Sequence, residues 1–202
     1  MQLAIFLFPF LGYLFGSLPF ALWITRLVKG TDIRDAGSGH VTTTNTIRQA
    51  GWLPGILVAI LDISKGFVPT YLALNAGMPN WVLALTAAAI VMGHCWPIFA
   101  GFRGGMGLAT TAGILLAVSP LGFLVAFAIL LLCVLLIRHA ARGAVVAALL
   151  APFVFWVLGL RGPELWVGAA AALVLAARFY LEDWNRRYRE LWLDRDHEDQ
   201  SK

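Results

Sequence analysis

The chain has 202 residues, of which 60% are hydrophobic and only 13% are charged, and its mean hydropathy is +0.79. A soluble globular domain carries about 25% charged residues, so this composition excludes an ordinary soluble protein. The formal net charge is +4, and both cysteines, Cys95 and Cys133, lie in apolar segments. This placement excludes a disulfide framework and favours buried thiols.

Apolar segments along the whole chain predict membrane spans. A helix of about 20 apolar residues crosses a bilayer. The uncharged segment 1–25 predicts a first span, which we expect to be retained because it lacks the basic start of a signal peptide. The chain is therefore predicted to be an all-α integral membrane protein with seven transmembrane helices. We expect the later spans at 53–74, at 81–99, at 104–137 cut in two at Pro120, at 143–160 and at 165–181.

The basic residues predict the orientation of these spans. Seven spans place the following segments on one side: 26–50, 101–107, 138–142 and the chain from 178. These segments hold every Lys and Arg except Lys65, which lies in a span, and Arg161. The positive-inside rule therefore predicts an external N-terminus, with the loops and the C-terminus on the cytoplasmic side of the inner cell membrane. We expect a membrane domain at 1–181 and a cytoplasmic tail at 182–202.

The first cytoplasmic loop is unusually polar and predicts a phosphate-binding site. Its glycines let the backbone turn its amides inward, and the serine between them adds a hydroxyl donor. Thr44 or Asn45 is expected to cap the following helix, and an arginine lies about one turn further along. A flexible connector is the alternative interpretation. The candidate residues are Gly37, Ser38, Gly39, Thr44, Asn45 and Arg48.

A second glycine-rich segment follows the third predicted span, with four glycines in residues 101–107. We expect a helix to begin here, so its partial positive charge and the unblocked amides of Gly104, Gly105 and Gly107 suit a phosphate monoester. The guanidinium of Arg103 adds a charged donor. The alternative is that these glycines only allow short helices to pack closely.

Asp62, Lys65 and His94 lie within predicted spans and are expected to support the site. Asp62 and Lys65 are three residues apart and share a helix face. Charges inside a membrane are costly, so we expect the two side chains to pair inside the protein and to orient the first loop. Direct contact of Lys65 with substrate is the alternative. His94 is expected to be either a proton carrier or a buried core histidine.

Several common chemistries are absent from the sequence. It contains no G-x-S-x-G elbow, no HExxH helix and no Walker loop, and no Cys/His cluster with zinc-ligand spacing. None of the four histidines is followed by an aspartate five positions on. We therefore predict no metal, no cofactor and no nucleic-acid partner.

With these residues placed, the chain resembles a divergent member of the bacterial acyl-phosphate-dependent glycerol-3-phosphate acyltransferases. The likeness covers most of the chain and is carried by residues 16–19, 32–34, 37–48, 61–66 and 93–110. It implies a seven-span membrane enzyme with its motifs at the cytoplasmic face. It also implies transfer of a fatty acyl group from acyl phosphate to the 1-hydroxyl of glycerol 3-phosphate, with membrane lipids around it and without a metal or an acyl-enzyme.

The resemblance also assigns roles to individual residues. Ser38 and Arg48 match the family pattern and are expected to be catalytic, and His40 is expected to supply a donor or a base to the same pocket. The chain departs from the family pattern in the first motif, where His40-Val-Thr-Thr replaces Asn-Pro-Gly-Ala after Gly39. It also departs at three single positions where the family has lysine, serine and histidine. The residues found there are Met106, Ala141 and Phe179.

These departures leave two alternatives to the acyltransferase hypothesis. The first is a non-catalytic or altered-substrate paralogue that binds a lipid, a phosphate ligand or a partner enzyme. The second is a small-solute transporter, which the charges within the second span favour. The absence of an inverted repeat and of a second charged span counts against a transporter.

Overall fold

The computed structural model describes residues 2–183, and every regular element within them is helical. Six helical stretches in this part of the chain are long and apolar enough to cross a membrane. The predicted tail lies outside the described residues from position 184 onward. The helices are α1 (Gln2–Gly16), α2 (Phe20–Lys29), α3 (Thr43–Ala50), α4 (Trp52–Asn75), α5 (Asn80–Cys95), α6 (Leu108–Val118), α7 (Pro120–Ile137), α8 (Ala140–Val157) and α9 (Pro163–Asp183), with 3-10 turns at Ile33–Asp35 and Ile98–Ala100.

The predicted first span is confirmed as one candidate membrane span, Leu3–Lys29, but its helix is interrupted. The helix ends at Gly16 and resumes as α2 at Phe20. Pro19 has no backbone N–H to donate, so the intervening segment leaves the helical hydrogen-bond pattern. Lys65 Nζ on α4 donates to the carbonyl of Leu18 at 3.1 Å and so satisfies a backbone group that the break exposes.

The predicted cut at Pro120 is confirmed. Ser119 caps α7 by accepting a hydrogen bond from the Gly122 amide at 3.0 Å, and Pro120 occupies the first helical position, where its missing N–H costs nothing. The cut is uneven, since α7 has 18 residues and α6 has only 11. At 1.5 Å per residue, α6 is about 16 Å long, roughly half the hydrocarbon thickness of a bilayer.

Glycines allow the helices to pack closely. A Cβ at Gly66 on α4 would overlap the Thr110 carbonyl on α6, and a Cβ at Gly113 on α6 would overlap the Ile63 carbonyl on α4. Small residues permit such backbone contact between membrane helices. The larger buried cluster is drawn mainly from α5, α6, α8 and α9 and includes Cys95. Cys95 and Cys133 are both buried and unbridged, as predicted.

Candidate functional site

Two loops lie together at one end of the helices. We call residues 30–42 loop 1 and residues 97–107 loop 2. The Val41 amide donates to the Gly104 carbonyl at 3.2 Å. Arg34 Nη1 donates to the Ala100 carbonyl at 3.0 Å, and Arg103 Nη2 donates back to the Arg34 carbonyl at 2.8 Å. The two glycine segments that the sequence singled out are therefore joined into one surface.

Loop 1 is organised around the buried side chain of Asn45, the third residue of α3. Asn45 Nδ2 lies 3.2, 3.0 and 3.1 Å from the carbonyl oxygens of Ile33, Ala36 and His40. Its Oδ1 accepts a hydrogen bond from the Ser38 amide at 3.3 Å. Gly37 adopts φ +57°, and a Cβ there would overlap Asn45 Oδ1, so only glycine fits between the loop and this side chain. Asn45 thus fixes the loop's shape.

The inward amides of loop 1 have partners within the protein. The Gly39 amide donates to the Ala36 carbonyl at 3.1 Å, and the His40 amide lies 3.4 Å from Ser38 Oγ. With the Ser38 amide held by Asn45, three successive donors serve the loop itself. The loop therefore offers a ligand fewer backbone donors than the glycine–serine pattern predicts.

The predicted cap of α3 is wrong. The cap is Thr42, whose Oγ1 accepts from the Asn45 amide at 3.3 Å. Thr42 is in extended conformation immediately before the helix, as a capping residue must be, whereas Thr44 is already within the first turn and exposed.

Ser38 and His40 are half-buried in loop 1, and Arg48 is half-buried on α3, one turn beyond Asn45. The three predicted catalytic residues are thus on adjacent elements.

A cluster of charges at the start of loop 1 supports this surface. Asp32 lies 2.6 Å from both Arg26 Nη2 and Arg34 Nη2, and its Oδ1 accepts from Arg34 Nε at 2.9 Å. The hydrogen bonds from Arg34 hold the pKa of the Asp32 carboxyl well below its usual range, and the same pairing raises the pKa of Arg34. Arg103 also lies 3.5 Å from Asp35, so both of its contacts reach loop 1.

Loop 2 is shaped by close packing against the end of α5. A Cβ at Gly104 would overlap the His94 carbonyl, and a Cβ at Gly105 would overlap His94 Nε2 and lie 2.6 Å from the Val41 carbonyl. The Gly105 amide donates to the His94 carbonyl at 3.1 Å, so the prediction that this amide is unblocked is wrong. These two glycines fit a space that any side chain would fill.

Helix α6 begins directly at loop 2. Gly107 caps it with φ +86°, and the first free amides of the helix follow at Leu108. The hydroxyls of Thr110 and Thr111 are buried and have no hydrogen-bond partner among the residues that the structure describes. A helix N-terminus with donors of this kind attracts anions.

Arg178, which the predicted site omitted, holds loop 2 from the other side. Its Nε donates to the Gly105 carbonyl at 3.1 Å, and its Nη2 lies 3.5 Å from the Gly104 carbonyl. The guanidinium is buried, lies 5.3 Å from the centre of the Trp96 ring and pairs with Glu182 at 2.8 Å. A charge within the last predicted span was the signal that could have identified it.

The predicted ion pair between Asp62 and Lys65 is present and buried, at 2.9 Å. Lys65 also donates to the Leu18 carbonyl at the break between α1 and α2, and the expectation that the pair orients the first loop stays a prediction. His94 is also buried, and its Nδ1 lies 3.8 Å from Asp62 Oδ1, too far for a hydrogen bond. The ion pair therefore lies between the helix break at Leu18 and His94, whose carbonyl accepts a hydrogen bond from loop 2.

The three single-residue departures from the family pattern share one environment. Met106, Ala141 and Phe179 are all buried members of the same hydrophobic cluster. The chain therefore has mutually compatible apolar side chains where the resemblance predicts polar ones. An unpaired polar group restored at one position alone would be buried among apolar atoms, which is costly.

An apolar cavity of about 340 Å³ lies beneath loop 2, between α6, α7, α8 and α9. Its lining includes Leu108 at the start of α6 and Leu175 on α9, together with alanines of α8. Among the described residues, no cluster of three or more His, Cys, Asp or Glu side chains is placed to hold a metal ion. The site thus combines polar loops with a space suited to hydrocarbon.

Comparison with known proteins agrees with this geometry. The family model for glycerol-3-phosphate acyltransferase matches residues 6–188. Glycerol-3-phosphate acyltransferase 2 of Moorella thermoacetica is 45% identical over 142 residues, which cover 70% of this chain and 73% of that protein. The glycerol-3-phosphate acyltransferase of Rubrobacter xylanophilus is 40% identical over 166 residues, covering 81% and 83%.

Solved structures extend the match to three dimensions. The crystal structure of PlsY (YgiH), an integral membrane glycerol 3-phosphate acyltransferase, in its glycerol 3-phosphate form superposes with a TM-score of 0.77 at 35% identity, covering 88% of this chain and 89% of that one. The lysophosphatidic acid form of the same protein gives 0.75. The chain is a multi-pass membrane protein and belongs to the glycerol-3-phosphate acyltransferase family.

Proposed function

We propose that this protein transfers a fatty acyl group from acyl phosphate to the 1-hydroxyl of glycerol 3-phosphate, forming lysophosphatidic acid for phospholipid synthesis. The observation that carries the proposal is the joining of the two polar loops above an apolar cavity. A reaction between a phosphorylated polar acceptor and a lipid donor needs both environments side by side. Family membership supports the same reaction.

The proposed topology has seven crossings in one membrane domain, residues 1–181, with a cytoplasmic tail from 182. In it α1 and α2 together form one crossing, and the short α6 forms another. Both loops and the end of α9 then face the cytoplasm, and the N-terminus lies outside the inner cell membrane. The basic residues in these segments support that orientation.

In this proposal the acceptor phosphate binds between loop 1 and the start of α6. Ser38 and Arg48 approach it from loop 1 and α3, while the amides after Gly107 and the hydroxyl of Thr110 approach from α6. Gly37, Gly104, Thr44 and Arg103 remain predicted contacts, whereas the amides of Gly39 and Gly105 already donate within the protein. An incoming phosphate would have to displace Asp35 from Arg103.

Two residues act in this proposal by holding the loops rather than by touching substrate. The amide of Asn45 is occupied by loop 1 carbonyls, and the guanidinium of Arg178 is occupied by those of loop 2. We assign both as positioning residues. His94 supports loop 2 through its carbonyl, which accepts from the Gly105 amide, and we assign the buried pair of Asp62 and Lys65 beside it a supporting role.

The reaction needs no covalent enzyme intermediate. The 1-hydroxyl oxygen attacks the acyl carbonyl carbon, the new C–O ester bond forms, and the bond between that carbon and the phosphate oxygen breaks. Inorganic phosphate leaves with the electron pair of the broken bond. The hydroxyl proton passes to His40 or to a substrate phosphate, and Arg48 stabilises the charge that develops on the phosphate.

The test is a turnover assay with purified protein, labelled glycerol 3-phosphate and palmitoyl phosphate. We expect lysophosphatidic acid from the wild type and at least a 100-fold lower rate for Ser38→Ala and for Arg48→Ala. Ser64→Ala and Arg161→Ala are matched controls, because Ser64 Oγ donates to the Ile60 carbonyl of its own helix and Arg161 contacts Trp156 on α8, away from both loops. Turnover unaffected by the loop variants would refute the site, and absence of turnover in the wild type would favour the non-catalytic paralogue, for which the comparisons give no support.

A further inference from the structure

The inference concerns the far end of the apolar cavity and rests on the proposed function. The cavity begins next to loop 2. Leu108 lines it and directly follows the capping residue Gly107, and a Cβ at Gly107 would lie 2.9 Å from Leu175 Cδ2 on the opposite wall. The mouth of the cavity therefore borders the loop where the acyl group must react.

Phe155 and Gly168 lie at the far end of the cavity and are, among the described lining residues of α8 and α9, the ones farthest from loop 2. Leu116 near the end of α6 and Phe123 near the start of α7 line the same end. Phe155 is fully buried, and a Cβ at Gly168 would lie only 2.9 Å from its ring. The ring is thus packed against the backbone of α9 at Gly168.

The depth of the cavity follows from helix geometry. The lining residues of α8 run from Ala144 near the loop end to Phe155, a separation of 11 positions. At 1.5 Å per residue this is about 16 Å. Between them the α8 wall is formed by Ala147, Ala148 and Ala151, whose small side chains leave the space open.

We infer that Phe155, packed on Gly168, is the stop that sets the longest acyl chain this enzyme uses efficiently. A linear chain entering at loop 2 would extend along the alanines of α8 until its end met the ring. Each methylene buried in an apolar site raises affinity about fourfold. Chains that end at the ring therefore gain the full benefit, and longer chains must bend or leave their ends outside.

The experiment offers the purified enzyme an equimolar mixture of saturated acyl phosphates of graded length and measures the lysophosphatidic acids formed by mass spectrometry. Phe155→Ala is expected to shift the preferred chain by two or more carbons toward longer donors. Ala151→Leu, one turn nearer the loop, is expected to shift it toward shorter donors. The matched control is Leu149→Ala on the exposed face of α8, which should keep the wild-type profile.

The opposite shifts are essential, because a merely structural defect would lower all rates together. Phe155→Leu provides a milder change if Phe155→Ala does not fold. An active variant with an unchanged profile would overturn the inference, and the acyl tail would then pass outward beside α7, where Phe127 lines the cavity and is 54% exposed. Failure of the wild type with every donor would instead refute the proposed function.

Discussion

Loops 1 and 2 are both rich in glycine, yet they are held in different ways. In loop 1 the side-chain amide of Asn45 supplies the hydrogen-bond donor for three backbone carbonyls of the loop. In loop 2 the backbone itself packs against the end of α5, and glycine is needed because no Cβ fits at Gly105. Loop 1 therefore depends on one polar group being present, and loop 2 depends on side chains being absent.

The sharpest test of this contrast is Gly105→Ala. The added methyl would overlap His94 Nε2, so loop 2 must shift, and a displacement of about 1 Å can cost about 100-fold in activity. We expect a loss of that size in kcat/KM for glycerol 3-phosphate.

Gly101→Ala is the control for this prediction. Gly101, unlike Gly105, has a positive φ, +62°, and open space surrounds its Cβ position, so only about 1–2 kcal/mol of backbone strain is expected. Equal losses in the two variants would show that loop 2 is sensitive to any added methyl group and not to the lack of space at Gly105.

Asn45→Asp should produce the next largest effect. The change keeps the shape of the side chain but replaces its donor with an oxygen facing three carbonyls. Leaving buried carbonyls unsatisfied costs about 1–3 kcal/mol, so we expect a fall in Tm and roughly a 30-fold lower kcat/KM. Asn75→Asp, at an exposed amide with one bond to the Tyr71 carbonyl, is the matched control. If both variants have the Tm of the wild type, Asn45 does not fix the shape of loop 1.

Arg178→Lys probes how firmly loop 2 needs support from α9. Lysine keeps the charge but cannot hold two carbonyls and Glu182 with one planar group. We expect about a tenfold lower kcat/KM, mainly through a higher KM for glycerol 3-phosphate, as one charge-assisted contact is lost.

Arg161→Lys serves as the control for that change, because Arg161 lies in the turn before α9, at the end of that helix away from Arg178. A positioning role predicts that Arg178→Lys alters KM more than Tm. A lower Tm with unchanged kinetic constants would instead make Arg178 a residue of stability only.

The smallest expected effect is a pH dependence of loop 1. Pairing with Arg34 holds the pKa of Asp32 below its value in the unfolded chain. The pair therefore stabilises the fold above about pH 4, and this contribution is lost as the pH falls through the lowered pKa of the folded state. Thermal unfolding between pH 6 and pH 3 should show a decline that Asp32→Asn reduces. Identical declines in both proteins would contradict the assignment.

Much of the fold was predictable, because apolar length and proline position are local properties. The cut at Pro120 and the buried pair of Asp62 and Lys65 followed from them. The break before Phe20 was missed because hydropathy does not register an interruption that a distant lysine satisfies. Hydrophobic segments reveal where spans lie. They do not reveal where a side chain on one helix hydrogen-bonds to the backbone of another.

The site was predictable only as a set of segments. The glycine patterns identified both loops, but the partners that occupy their amides come from Asn45 and from the His94 carbonyl. Arg178 lies 73 positions from the carbonyl it holds, a separation that no local pattern reveals. Similarly, the burial of Met106 in one apolar cluster with Phe179 became visible only in three dimensions.

The most direct measurement of the central claim is calorimetric titration of glycerol 3-phosphate into the purified protein without acyl donor. If the joined loops form the acceptor site, the wild type binds saturably, Arg48→Ala binds at least tenfold more weakly, and Arg161→Ala binds like the wild type. No binding by the wild type, or equal binding by all three proteins, would contradict the assignment of the acceptor site to these loops.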